Sequence, residues 1–164
     1  MSMETSAPTE PIRKQVRVGR SADDAFRLFV EEIDRWWPVE VHSRAAHGQY
    51  GDGVTVSRVV FEPRVGGRLY EVTSEGVEGT WAEIRVFDPP ARFVLAWKPN
   101  DRAEPPTEVE IRFEADGDGT IVRLEHRGWE AVDPARAPEA RIGYDRGWSL
   151  PLERFAAALA RLGS

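Results

Sequence analysis

The chain contains no cysteine, which excludes a disulfide framework, a thiolate metal site and a cysteine nucleophile. Histidine is scarce as well. His42 and His47 stand five apart in a stretch without helical period, and His126 is remote from both. No H-x-x-x-H or H-E-x-x-H arrangement occurs, so neither a metal nor any other cofactor is expected. No G-x-S-x-G element stands between a strand and a helix, which removes the usual serine-hydrolase signature. No apolar run approaches the roughly 18 residues that would span a bilayer. The opening MSMETSAPTE has neither the basic start nor the apolar centre of a signal peptide. A cytoplasmic location without a membrane span is therefore expected. A positive surplus is also missing. With 28 acidic against 22 basic residues, the net charge of −6 argues against nucleic acid as a partner.

What is present fits one domain, over residues 12–164, behind a loose polar tail at residues 1–11. IRKQVRV places Ile12, Val16 and Val18 on one face of a first strand. SADDAFRLFVEEIDRWW follows. Ser21 and Asp24 have capping-box spacing, and Phe26, Phe29, Val30 and Ile33 recur at helical intervals until Pro38. Residues 38–53 carry two histidines and no clear period, and read as an irregular link. From Val54 to Trp129 six short runs rich in β-branched and aromatic residues alternate with turn sequences. The turns VGG, SEGVEG, DPPA, PNDRAEPP and DGDG predict an antiparallel meander. In TEVEIRFEA, Val109, Ile111 and Phe113 take one face while Glu108, Glu110, Arg112 and Glu114 take the other. One side of the sheet is expected to be buried and the other wet.

The chain ends in a long amphipathic helix with Trp148, Leu152, Phe155, Leu159 and Leu162 on one stripe. Pro151 lies inside that pattern and predicts a kink near Gly147 or a late helix start. A sheet with one apolar face needs a cover, and this helix supplies it. The space between the two is either filled by side chains or is a cavity.

FEPRVGGRLYE, at residues 61–71, raises the question of a phosphate loop. A Walker-type loop needs Lys followed by Ser or Thr and then a helix. Here Gly66-Gly67 leads straight into strand residues, so the pair marks a tight turn. Arg64 and Arg68 are expected to be solvated or paired with Glu62.

DRWWP at 34–38, FEPRVGGRLYE at 61–71, GTWAEIRVFDPPARFVLAW at 79–97, VRLEHRGW at 122–129 and GYDRGWSLPLERFAAAL at 143–159 occur in one order. In that order the chain resembles the SRPBCC (START and Bet v 1-like) superfamily. Within it, the chain is similar to the group related to the C-terminal domain of the activator of Hsp90 ATPase. The resemblance implies an α+β helix-grip fold. A curved antiparallel seven-stranded sheet wraps a long C-terminal helix, with one or two short helices after the first strand. Members of the superfamily carry lipids, bind hormones, cyclise polyketides or assist Hsp90, and fold alone does not choose among these.

Two polar residues stand out. His126 shares a face with Val122 and Leu124 and should point toward the helix. It is either a satisfied core histidine or a hydrogen-bonder in a pocket. Glu71 shares parity with Leu69. If that face is inward, Glu71 needs a partner such as His126, an indole N–H or Arg58; if Tyr70 faces inward instead, Glu71 is a surface charge. All six tryptophans, Trp81 and Trp129 included, read as core or as cavity wall, among them Trp36, Trp37, Trp97 and Trp148. The expected lining joins these four to Leu69, Glu71, Phe93, Leu95 and Ile111, and to Phe113, Leu124, His126, Leu152 and Phe155. The expected function is non-catalytic binding of a small hydrophobic or amphipathic molecule between sheet and helix, by a monomer or homodimer. A chaperone regulator, and a cyclase- or hydrolase-like enzyme using Glu71 and His126, are the alternatives. PNDRAEPPTE is expected at the cavity mouth.

Overall fold

In the computed structural model, which describes residues 9–162, β1 (Ile12–Val18) pairs antiparallel with the last strand of the chain. Most of the expected tail therefore lies outside the described residues. Two short helices, α1 (Ala22–Glu31) and α2 (Ile33–Trp36), carry the chain to the opposite sheet edge. There β2 (Val56–Phe61), β3 (Arg68–Thr73), β4 (Glu78–Asp88), β5 (Arg92–Trp97), β6 (Thr107–Asp116) and β7 (Gly119–Arg127) run as a meander. The resulting order is β1-β7-β6-β5-β4-β3-β2, antiparallel throughout. Register shifts interrupt the ladders at Val56/Arg58, Leu69/Tyr70 and Ile84/Val86. Each such irregularity bends its strand and increases local twist, so the sheet curls around its apolar face. This is the helix-grip architecture that the resemblance implied.

Local chemistry explains the element ends. Ser21 Oγ accepts the Asp24 N–H at 3.1 Å and caps α1. The Gly66-Gly67 turn is required on two counts. Gly66 has φ 85°, and a Cβ on Gly67 would stand 2.8 Å from Glu62 Cβ. Arg64 pairs with Glu62 as expected, at 3.7 Å. Arg68 does not: its guanidinium pairs with Glu78 at 2.7 Å and lies 4.0 Å over the Tyr70 ring. Only its backbone N–H reaches Glu62. The longer side chain finds an aromatic face and a carboxylate across the strand pair, which outweighs a contact around the turn.

The C-terminal helix is interrupted where Pro151 foretold. α3 (Ala137–Gly147) and α4 (Ser149–Ala160) meet at Trp148, whose backbone stays helical. Pro151 has no N–H to donate to the Gly147 carbonyl, and that backbone meets the His42 ring instead. Trp148, Leu152, Phe155 and Leu159 are all buried.

At the α1 end the interior is solid. Phe26 and Phe29 of α1, Phe93 of β5, Phe113 of β6 and Phe155 of α4 pack with ring centroids 5.2–6.0 Å apart. Edge-on and tilted pairs of this kind add to the area each ring removes from water. The outer face of β6 differs from the simple wet side read from the alternation. Glu110 is only 5% exposed. It accepts from Arg92 at 2.9 Å, Arg112 at 3.0 Å and Arg127 at 2.7 Å. Burial disfavours its ionised form, but the bonds from Arg127 and Arg92 prevail and hold its carboxyl below the usual range.

Candidate functional site

Opposite the phenylalanine cluster, the space between sheet and helix is not filled. A hollow of about 500 Å³ remains. Trp81 of β4 and Trp97 of β5 form its sheet wall. Ala140, Gly143, Tyr144 and Trp148 form its helix wall. Trp37 and residues of the 38–53 link close one side, and Pro99, Asn100 and Arg102 of the β5–β6 loop stand at the rim. The hollow reaches the surface at exposed Val41 and Arg102. Four indoles meet here, with Trp37 5.2 Å from Trp81, 6.5 Å from Trp97 and 6.0 Å from Trp148. Trp97 and Trp148 are 5.4 Å apart.

Of the residues expected to line a cavity, Trp37, Trp97 and Trp148 border this hollow. Trp36, Phe93, Phe113 and Phe155 pack into the aromatic core behind it. Leu69, Leu95, Ile111, Leu124 and Leu152 are buried side chains of the sheet and helix that do not border it. Glu71 and His126 are both fully buried and do not border it either.

Glu71 is inward, and the parity question resolves in favour of a paired carboxylate. Oε1 accepts the Arg44 N–H at 2.7 Å and the Trp81 indole N–H at 2.5 Å, while Oε2 accepts the Ala45 N–H at 3.0 Å. Tyr70, on the other side of β3, is nearly as buried, beneath the Arg68 guanidinium. The carboxylate thus pins the irregular 38–53 link, which has little regular structure of its own, to the sheet. Beside it the Tyr50 hydroxyl is buried without a hydrogen-bond partner of normal geometry. Burial, followed by the neighbouring Glu71 charge, pushes this phenol up to about 12.

His126 is held between two indole-bearing elements. The Trp148 indole can only donate, so Nδ1 accepts it at 3.1 Å and the ring proton sits on Nε2. Nε2 then donates to Thr107 Oγ1 at 2.8 Å, and that hydroxyl reaches the Trp97 carbonyl at 3.3 Å. Burial lowers the His126 pKa to about 3, so the ring is neutral at physiological pH. Glu71 and His126 have no hydrogen-bond partner in common. Each is occupied by the fold, and neither has a face toward the hollow from which to move a proton.

The polar groups that do border the hollow come from residues outside the expected lining. Arg44 donates to Gln49 and to the Thr80 carbonyl and pairs with Asp101 at 2.9 Å. Arg136 pairs with Glu104, but its buried Nε–H has no acceptor among the described residues. The Tyr144 oxygen accepts the Trp97 indole N–H at 3.1 Å, and burial raises the phenol pKa. His42 lies against Gly147. Burial lowers its pKa, and the nearby His47 adds to the shift. One of these had a readable signal: Tyr144 is four residues before Trp148 and extends the helix stripe by one turn. The arginines come from three separate connections and share no sequence pattern.

Comparisons with known proteins agree with this architecture. No curated protein matches the sequence. Among solved structures, the self-sacrificing resistance protein CalC from Micromonospora echinospora is 28% identical, with a TM-score of 0.70. That alignment covers 96% of this chain and 99% of CalC. Protein MLL2253 from Mesorhizobium loti, at 16% identity and a TM-score of 0.65, covers 94% of this chain and 100% of its own. The Aha1 dimer from Colwellia psychrerythraea, at 13% identity and a TM-score of 0.56, covers 94% and 99%. The last two show the shared fold. The model of the activator of Hsp90 ATPase homolog 1-like protein family matches residues 20–160. Since that match takes in every strand after the first and both parts of the C-terminal helix, the protein belongs to this family.

Proposed function

We propose that the chain binds a small amphipathic molecule in the hollow between the sheet and the C-terminal helix, without chemistry upon it. The observation that carries this reading is the volume of about 500 Å³ walled by Trp37, Trp81, Trp97 and Trp148. Sites for small organic ligands are concave, largely apolar and aromatic, with a few placed polar groups, and this size is within their usual range. The bulk of a ligand would lie on the indoles, and its polar end would face the rim. The expected residues behind the wall, such as Phe93 and Phe155, set its shape without touching the ligand. That a 28% identical neighbour is a self-sacrificing resistance protein is compatible with a role toward small molecules. The full occupation of Glu71 and His126 supports binding over catalysis.

The test is native mass spectrometry on protein purified from its own host, followed by tryptophan-fluorescence titration with the class of molecule retained. Four indoles around one space should give a large quench or shift. Absence of any retained molecule, together with flat titrations across a broad library of aromatic and lipid compounds, would refute the reading. The family description favours a second reading, regulation of an Hsp90-type chaperone. It predicts stimulation of a chaperone ATPase that persists when the hollow is blocked by a bulky substitution at Gly143. No stimulation of the partner ATPase removes it.

A further inference from the structure

The polar character of the hollow is one-sided. Its lining includes Arg44, Arg102 and Arg136 together with His42 and His47, and contains no aspartate or glutamate. This occurs in a chain with more acidic than basic residues overall. Hydrogen-bonding capacity is skewed the same way. The Tyr144 oxygen receives the Trp97 N–H, but its own O–H has no acceptor among the described residues. The Arg102 guanidinium makes no ion pair or hydrogen bond among the described residues. The acceptors at the rim are already engaged: Gln49 Oε1 by Arg44, and Asn100 Oδ1 by the Arg102 backbone N–H. Asp101 neutralises Arg44 and Glu104 neutralises Arg136, so the uncompensated charge belongs to Arg102. The Tyr144 O–H, the Arg102 guanidinium and one net positive charge thus stand around an aromatic space whose lining holds no carboxylate.

We propose that the hollow selects planar aromatic molecules carrying an anionic oxygen group, such as aryl carboxylates. The ring system would lie among Trp37, Trp81, Trp97 and Trp148, where flat π-faces pack in offset or edge-on fashion. The anion would point outward to Tyr144 and Arg102. Guanidinium groups match a carboxylate in charge and in planar geometry, and charge-assisted bonds are stronger than neutral ones. The proposal rests on the binding role of the hollow and narrows its ligand.

The experiment compares 2-naphthoate with its neutral near-isostere 2-naphthamide by isothermal titration calorimetry, on the wild type and on Arg102→Gln. Arg102 is exposed and its guanidinium makes no ion pair or hydrogen bond among the described residues, so the variant should fold normally. We expect naphthoate to bind about tenfold more tightly than naphthamide. Arg102→Gln should weaken naphthoate about three- to tenfold and leave naphthamide unchanged. High salt should weaken only the anion. If naphthamide binds as tightly as naphthoate, the anion selectivity is refuted while the binding role stands. If naphthoate is preferred but Arg102→Gln loses nothing, the assignment of the charge to Arg102 is refuted. If neither compound binds at millimolar concentration, the selectivity for aryl carboxylates is refuted, while the binding role itself is decided by the native mass spectrometry and library titrations above.

Discussion

Replacing His126 by glutamine isolates one ionisation from all the others in the chain. In the folded protein burial holds the imidazole pKa at about 3, against 6.5 for the exposed group. The unfolded chain therefore takes up a proton below about pH 6.5 that the folded chain refuses. Stability contributed by this group is complete above that pH and is lost as the pH falls toward 3. Between pH 7 and pH 5 the loss amounts to about 2 kcal/mol, from about 1.4 kcal/mol for each unit below the unfolded pKa. A glutamine can still accept from Trp148 and donate to Thr107, but it does not titrate. Urea denaturation of both proteins at several pH values should show the wild type losing about 2 kcal/mol more than His126→Gln over that interval. Parallel profiles, or an NMR titration placing His126 near pH 6, would refute the account of a neutral ring tying β7 to the helix.

Glu71→Gln replaces an acceptor-only carboxylate with an amide whose NH2 must face one of three N–H donors. The expected destabilisation is about 2–4 kcal/mol, with faster amide exchange over residues 38–53 than elsewhere; uniform exchange would contradict the pinning role. Tyr50→Phe removes a buried hydroxyl that lies beside the Glu71 carboxylate without a hydrogen bond of normal geometry, so chemical denaturation should find a change of no more than about 1 kcal/mol. A larger loss of stability would mean that the hydroxyl donates a full hydrogen bond to Glu71. Gly79→Ala should cost about 1–3 kcal/mol, because its Cβ would stand 1.9 Å from the Tyr50 oxygen. Combining it with Tyr50→Phe should recover part of that loss, as a double-mutant cycle would show.

β6 was readable because it presents one apolar face at period two, β3 and β5 because they are short runs rich in apolar residues, and the turns between strands carry glycine, proline and aspartate where reversal demands them. The helix break was readable from the one residue that cannot donate, Pro151. Glu71 was half legible. Parity put it on the Leu69 face, and the indole N–H was among its candidate partners, but the backbone donors of Arg44 and Ala45 were not. They belong to a link whose path is fixed by the carboxylate rather than by any local periodicity. Glu110 was misread as simply wet because alternation says nothing of three arginines converging on one outward position. The hollow was legible only as one of two alternatives, open or filled. Whether Trp or Phe rings fill a space depends on how tightly the sheet curls, and that follows from register shifts with no compositional mark.

The placement of β1 has a bearing on biosynthesis. Its hydrogen-bonding partner is the last ribbon of the meander, with Ile12 opposite His126. A ribosome releases the first segment long before its mate, so it must wait, unpaired, while most of the molecule is made. Arg13, Lys14 and Arg17, spread along that waiting stretch, discourage it from joining a neighbouring nascent copy.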